Sequence, residues 1–357
     1  MSAGQAAGPG PDSPRDIELL DSMLKLMGGL RKEIGQVIVG QEAVVDQLLM
    51  TLLVGGHAIL EGVPGLAKTL LVNTISEALS LDFGRIQFTP DLMPTDVTGT
   101  LIFQEKAGGG VRDFVFRKGP VFTNLLLADE INRTPPKTQA ALLEGMSEGQ
   151  VSVGGRAHPL PKPFCVMATQ NPLEQEGTYP LPEAQLDRFL MKICIDYPEF
   201  LEEEEIIDRT TGDVEQEVAA VLDREVLLSL QAILPALPVT EHVQAYATRI
   251  GRMSRPEGES APGWVKEYIS WGVGPRAAQA LIRSAKAHTL LAGRFSVTRA
   301  DVRAVALPVL RHRLVPSFHA EAEGLGPDDI VDMLLDDVPT FNPRNEYDEV
   351  SRRILRL

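Results

Sequence analysis

The stretch EGVPGLAKTLL, Glu61 to Leu71, lies between an apolar run, HAIL (57–60), and a helical pattern that opens at Lys68. Three residues that interrupt regular structure, Gly62, Pro64 and Gly65, separate the two. A phosphate loop reads G-x-x-x-x-G-K-[ST] between a strand and a helix. Gly62, Lys68 and Thr69 stand in that register, and Ala67 occupies the place of the last glycine. Two readings remain open at this point. One is a nucleotide site with a single substitution; the other is a Gly-rich turn ahead of a helix. The added methyl of Ala67 is tolerable unless its position needs φ > 0.

The phosphate reading carries a definite chemistry. Backbone N–H groups of the loop would converge on phosphate oxygens, and the helix N-terminus would add its positive dipole end. Lys68 would reach the β- and γ-phosphates, and the Thr69 hydroxyl would ligate Mg2+. A second feature strengthens it. NLLLADEINR, Asn124–Arg133, is a buried strand pattern that ends in Asp129 and Glu130. Two carboxylates at the carboxyl edge of a parallel sheet stand where open α/β folds bind ligands. Asp129 suits a Mg2+ shell, and Glu130 suits polarising an attacking water. A solvated acidic pair is the plain alternative. FCVMATQNP, Phe164–Pro172, is another buried strand pattern, ending in Gln170 and Asn171. A neutral amide there could orient water near a γ-phosphate, although Asn-Pro is also a common turn opener.

Outward from these motifs, apolar runs at 57–60, 85–88, 124–128, 164–169 and 189–195 read as strands. Helical patterns at 41–54, 68–79 and 137–148 lie before and between them. This alternation predicts an α/β domain with a parallel sheet covered on both faces. Two segments interrupt it as hairpin insertions, 99–118 around a Gly-rich turn and 149–160 with Gly154-Gly155 at its tip. A helix is expected from Ile17 to Ile38, and residues 1–16, rich in Gly, Pro and Ala, read as a disordered tail. From Asp196 to Glu217 ten carboxylates face one base, Arg209, which reads as a solvated helix face. The remainder is helical in pattern. The expected boundary therefore places an α/β domain at 17–197 and an all-α domain at 198–357.

Composition excludes several classes. The net charge of −15 argues against a general nucleic-acid surface, which needs clustered Lys and Arg. No apolar run is long enough for a membrane span, and the N-terminus has no signal-peptide pattern. The two cysteines, Cys165 and Cys194, read as buried reduced thiols of a cytoplasmic protein, and the six histidines form no metal cluster.

The pieces IVGQEAV, EGVPGLAKT, LLLADEINR, ATQNP, LPEAQLDRF and GPRA occur in that order from about residue 17 to the helical region. As an ordered set this resembles the MoxR family of AAA+ ATPases: a P-loop αβα domain followed by an all-α lid. Ala before the loop lysine is familiar in that family. The resemblance implies that Ile38, Val39, Gly40 and Gln41 line an adenine pocket. It implies that Gly62, Val63, Pro64, Gly65, Leu66, Ala67, Lys68, Thr69 and Leu70 wrap the phosphates of ATP. Thr69 and Asp129 would then hold Mg2+, with Glu130 catalytic and Asn171 as sensor 1. Arg188 in LPEAQLDRF would be an arginine finger reaching a neighbour's nucleotide, and Arg276 in GPRA would be sensor 2. Taken without the resemblance, Arg188 reads equally as a surface ion-pair partner and Arg276 as a helix-start arginine in water.

The resemblance further implies a homo-oligomeric ring, expected to be hexameric, in which both hairpins point to a central pore. Phe103, Phe114 and Phe116 could then touch a substrate, but core-facing aromatics are the better reading. The implied function is chaperone-like ATP hydrolysis that matures or activates a partner complex, often one with a von Willebrand factor A protein. A nucleotide-gated scaffold with little turnover and a nucleic-acid motor are the alternatives. The acidic charge counts against the motor.

Overall fold

The computed structural model describes residues 14–105, 112–173, 177–212 and 217–339. They form two compact units that divide after Leu234.

The first unit runs α1 (Pro14–Val37), α2 (Glu42–Val54), β1 (Ala58–Glu61), α3 (Lys68–Ala78), β2 (Phe83–Gln87), α4 (Pro94–Thr98), β3 (Gly99–Glu105), β4 (Arg112–Lys118), β5 (Leu125–Asp129), α5 (Pro136–Glu148), β6 (Gln150–Val153), β7 (Arg156–Pro159), β8 (Cys165–Gln170), α6 (Glu183–Leu186), β9 (Met191–Cys194), α7 (Phe200–Thr210) and α8 (Arg224–Ile233). Five strands make one parallel sheet in the order β2-β5-β8-β1-β9. Its central strands are continuous apolar runs, as expected when helices cover both faces. Leu125 to Ala128 are fully buried. One face packs on Phe88, Val97, Leu142 and Phe189. The register sets strand ends level: Glu61 pairs with Gln170, and Gln87 pairs with Asp129. All the polar residues that follow these strands therefore emerge on one edge.

Several expectations shift. α1 begins at Pro14, so residues 14–16 belong to a helix; the rest of the expected tail lies outside the described residues. The unit boundary falls near 234 and not near 197, because α7 and α8 pack on the α/β unit. Arg209 donates to the carbonyls of Gly35 and Gln36 at 2.9 and 2.6 Å, and Gln231 donates to Leu52 O at 2.7 Å. The outer side of α7 matches its acidic sequence, and none of its residues is fully buried. Cys165 is buried, but Cys194 is only half-buried; both are free thiols. Burial pushes the Cys165 thiol pKa well up, so it stays protonated and donates to Gly56 O.

Both insertions are antiparallel hairpins. β3 pairs with β4 from Gly99–Lys118 to Glu105–Arg112, and the Gly-rich turn between them lies outside the described residues. β6 pairs with β7 around Gly154 and Gly155, at φ 60° and 74°, the left-handed pair that a two-residue turn requires. The hairpins touch each other. Gly154 lies so close to Leu101 that a side chain at 154 would collide with it, and the Phe116 ring stacks on His158 at 3.9 Å. The aromatics are not core residues. Phe103 and Phe114 pair at 5.1 Å but are 57% and 64% exposed, and only Phe116 is half-buried. They sit on a ribbon outside the main sheet, whose base alone is covered by the second hairpin.

The second unit comprises α9 (Glu241–Met253), α10 (Gly263–Tyr268), β10 (Ile269–Trp271), α11 (Pro275–Leu291), α12 (Arg299–Ala304), α13 (Ala306–Leu310), β11 (Val315–Pro316), α14 (Phe318–Ala322) and α15 (Pro327–Asp337). It is helical as expected, with one short antiparallel ribbon, β10–β11, that periodicity did not indicate. α12 is anchored by fully buried Asp301. Burial alone would raise its pKa, but Arg294, the Thr298 hydroxyl and N–H, and His288 all donate to it and hold the carboxyl far below its ordinary range.

Candidate active site

The chain leaves β1 at Glu61 and enters α3 at Lys68. Gly62 is obligatory by contact: a Cβ there would stand 2.7 Å from the Ile195 carbonyl oxygen. Gly65 takes φ 90°, and Ala67, the residue before α3, takes φ 51°. The condition attached to Ala67 is thus met: its position does need a left-handed backbone. Lys68 Nζ donates to the carbonyls of Gly62 and Val63 at 2.5 and 3.0 Å. Burial lowers the Lys68 pKa, and the charges of Asp129 and Glu130 oppose that shift.

Pro64 to Thr69 line a cavity of about 330 Å3 together with Asp129, Glu130, Thr169, Gln170 and Asn171. Three strand ends, separated by over a hundred residues of sequence, thus meet on one side of the loop. Thr169 ties two of them together. Its hydroxyl donates to Asp129 Oδ1 at 2.6 Å and accepts the Glu130 N–H at 2.8 Å. The other Asp129 oxygen accepts from Arg85 Nε and Nη2 at 3.2 and 2.6 Å. Glu130 sits at φ 56°, a strained backbone for a residue with a side chain. Its Oε2 accepts from Gln87 Nε2 at 2.8 Å and Arg133 Nη1 at 3.0 Å. Asn171 Oδ1 accepts the Leu173 N–H at 3.1 Å, so its NH2 is what it can offer the cavity.

The other sequence-derived candidates fall elsewhere. Ile38, Val39, Gly40 and Gln41 form the turn into α2 and do not line this cavity. Gly40 and Gln41 are both left-handed, at φ 64° and 56°, and Gly40 lies against the Glu202 carboxylate of α7. Gly62 and Val63 present carbonyls to Lys68, and Leu70 faces outward. Arg188 is exposed after α6, donates to Leu143 O at 3.2 Å and to Ser147 Oγ, and lines a separate hollow with Glu144 and Glu148. Arg276 is exposed in the first turn of α11, in the second unit. Sequence reading missed Thr169, Arg85 and Gln87. Only the alternation of polar and apolar residues in RIQF (85–88) hinted at the latter two.

The oxygen donors suit a hard divalent cation. A Thr hydroxyl and one carboxylate on a single cavity match Mg2+, which keeps several of its waters. A loop and helix start beside a lysine match a polyphosphate.

A parallel sheet with this cavity at its carboxyl edge and a separate helical unit are the parts of an AAA-type ATPase. Residues 57–191 match the ATPase family associated with various cellular activities, and residues 263–334 match the AAA lid domain. The chain is 43% identical over 336 residues to chaperone MoxR1 of Mycobacterium tuberculosis, covering 94% of this chain and 88% of that protein. It is 31% identical to protein MoxR of Methylorubrum extorquens, covering 83% and 90%. A crystal structure from Cytophaga hutchinsonii, of a protein assigned as an ATPase, superposes with a TM-score of 0.85 at 40% identity, covering 92% of this chain and 99% of that one. The chain belongs to the MoxR family of AAA+ ATPases.

Proposed function

We infer that the chain hydrolyses Mg·ATP and uses the cycle, in chaperone-like fashion, to mature or activate a partner complex. The observation that carries this reading is the convergence of the 64–69 loop with Asp129, Glu130 and Asn171 on one cavity. In it, the loop N–H groups and Lys68 hold the phosphates, for which Lys68 exchanges its two carbonyl partners. Thr69 and Asp129 would hold Mg2+, which would supply charge neutralisation at the phosphate oxygens. Glu130 leaves Gln87 and Arg133 to orient the attacking water, and the Asn171 NH2 reports on the terminal phosphate. The adenine pocket at 38–41, the finger role of Arg188 and the sensor role of Arg276 belong to the same proposal. The position of Arg188 outside this chain's own cavity suits a residue that acts on a neighbour in a ring, proposed as hexameric. A guanidinium supplied in trans is worth ~10³-fold or more in rate.

The exposed Phe103–Phe114 pair supports a role for the first hairpin in touching a client protein. The partner side, including a separate von Willebrand factor A protein, and a cytoplasmic location complete the proposal. Among the described residues no helix is long and apolar enough to cross a membrane.

Phosphate release by wild type and Glu130→Gln tests the chemistry. The variant is expected to bind ATP while losing about a hundredfold or more in turnover. The hydrogen bonds that restrain Glu130 favour one second reading, a nucleotide-gated switch with little turnover. Equal and negligible rates for the two proteins would establish it instead.

A further inference from the structure

Asp129 does not face the cavity as a bare carboxylate. Arg85, two residues upstream of its pairing partner on β2, reaches along the same sheet face and closes on Asp129 Oδ2 through two nitrogens, Nε at 3.2 Å and Nη2 at 2.6 Å. The acid is mostly covered, with 14% of its side chain exposed, whereas the Arg85 side chain is 47% exposed. The pair is asymmetric: the carboxylate is fixed by Thr169 and the strand end, and the guanidinium can swing away. Arg85 Nη2 also donates to Gln87 Oε1 at 3.0 Å, which turns the Gln87 NH2 toward Glu130. One arginine thus touches the metal carboxylate directly and the catalytic carboxylate through an amide.

We propose that Arg85 is a positioning residue that sets the divalent-cation requirement of the site. It serves as a resident counter-charge on Asp129 that the incoming cation has to displace. This rests on the assignment of Thr69 and Asp129 to Mg2+. A dication and a guanidinium would compete for the same carboxylate. The charge of Arg85 therefore weakens cation binding directly through repulsion and indirectly through the bond that must break. The same contact keeps Asp129 correctly turned before the cation arrives. When Arg85 swings out, Gln87 loses the partner that orients it, and the hold on Glu130 loosens with it. Cation arrival is thereby coupled to the Gln87 hold on Glu130, while the Arg133 contact is independent of Arg85.

The test is nucleotide binding, read by calorimetry with a non-hydrolysed ATP analogue at graded free Mg2+. Wild type is compared with Arg85→Met, Arg85→Gln and Arg85→Lys. The two neutral variants are expected to lower the Mg2+ midpoint about fivefold, while Arg85→Lys stays within about twofold of wild type. Affinity measured in chelator, without Mg2+, is expected to be the same in all four. Thermal melting identifies any variant that fails to fold, and either neutral variant alone suffices. An unmoved midpoint in a folded neutral variant overturns the proposal. So does a loss of metal-free affinity, which would mean that Arg85 holds the nucleotide and not the carboxylate. Bound analogue with an unmoved midpoint overturns this proposal alone. A wild type that retains no analogue at any Mg2+ concentration overturns the ATPase reading, and this proposal with it.

Discussion

A methyl group on a left-handed backbone is an unusual thing to place beside a phosphate-binding lysine, and Ala67 carries one at φ 51°. For a residue with a Cβ that conformation costs roughly 1–2 kcal/mol. Glycine would remove most of the strain but bring about 0.5–1 kcal/mol of extra unfolded-state freedom. Ala67→Gly is therefore expected to raise stability modestly, by about 0.5–1 kcal/mol, in denaturant unfolding. A destabilised variant would show that the loop is not strained there. Which residues could be read from sequence follows a physical line. Lys68, Thr69, Asp129, Glu130 and Asn171 were legible because each follows an apolar strand run in a fixed local pattern. Thr169, Arg85 and Gln87 were not, since each matters through a partner on another strand. Strand order and register decide those partners, and neither is written in local periodicity.

Among elements, the strands and helices of the α/β unit were legible from apolar runs that alternate with helical spacing. The hairpin aromatics were not, because an alternating ribbon has the same pattern whether its apolar face meets a core or water. Phe103 and Phe114 present a cross-strand pair to solvent. Replacing both with serine should lower the unfolding free energy, measured by denaturant titration, by no more than surface substitutions do, about 0.5 kcal/mol each. The same variant is expected to lose client capture in a pull-down on the Glu130→Gln background with ATP. A large loss of stability would show that the pair is buried in solution, and undiminished capture would remove the hairpin from the client surface.

At the scale of the whole molecule, the acidic run after Ile195 suggested a domain boundary that the packing does not respect. Composition reports which side of a helix meets water, and says nothing of what its other side leans on. α7 turns its carboxylates outward while Arg209 fastens it to the end of α1. The ring reading makes its own prediction. Lys68→Ala and Arg188→Ala chains, each inactive alone, are expected to recover part of the turnover when mixed, as measured by phosphate release. In such a ring, intact joint sites would form wherever one chain's loop meets the other's arginine. Mixed chains that stay as inactive as the separate ones would place Arg188 outside the catalytic machinery.

The contact between the two hairpins carries a consequence at the same scale. Leu101 seated over Gly154 and Phe116 laid on His158 make two prongs that travel as one fork. The second prong continues directly from α5, whose start follows Glu130 by a single short turn. A shift of a few tenths of an ångström at the carboxylate would be levered outward along that helix. The second hairpin and the base of the first would move together, and widening residue 154 alone would unhitch one from the other.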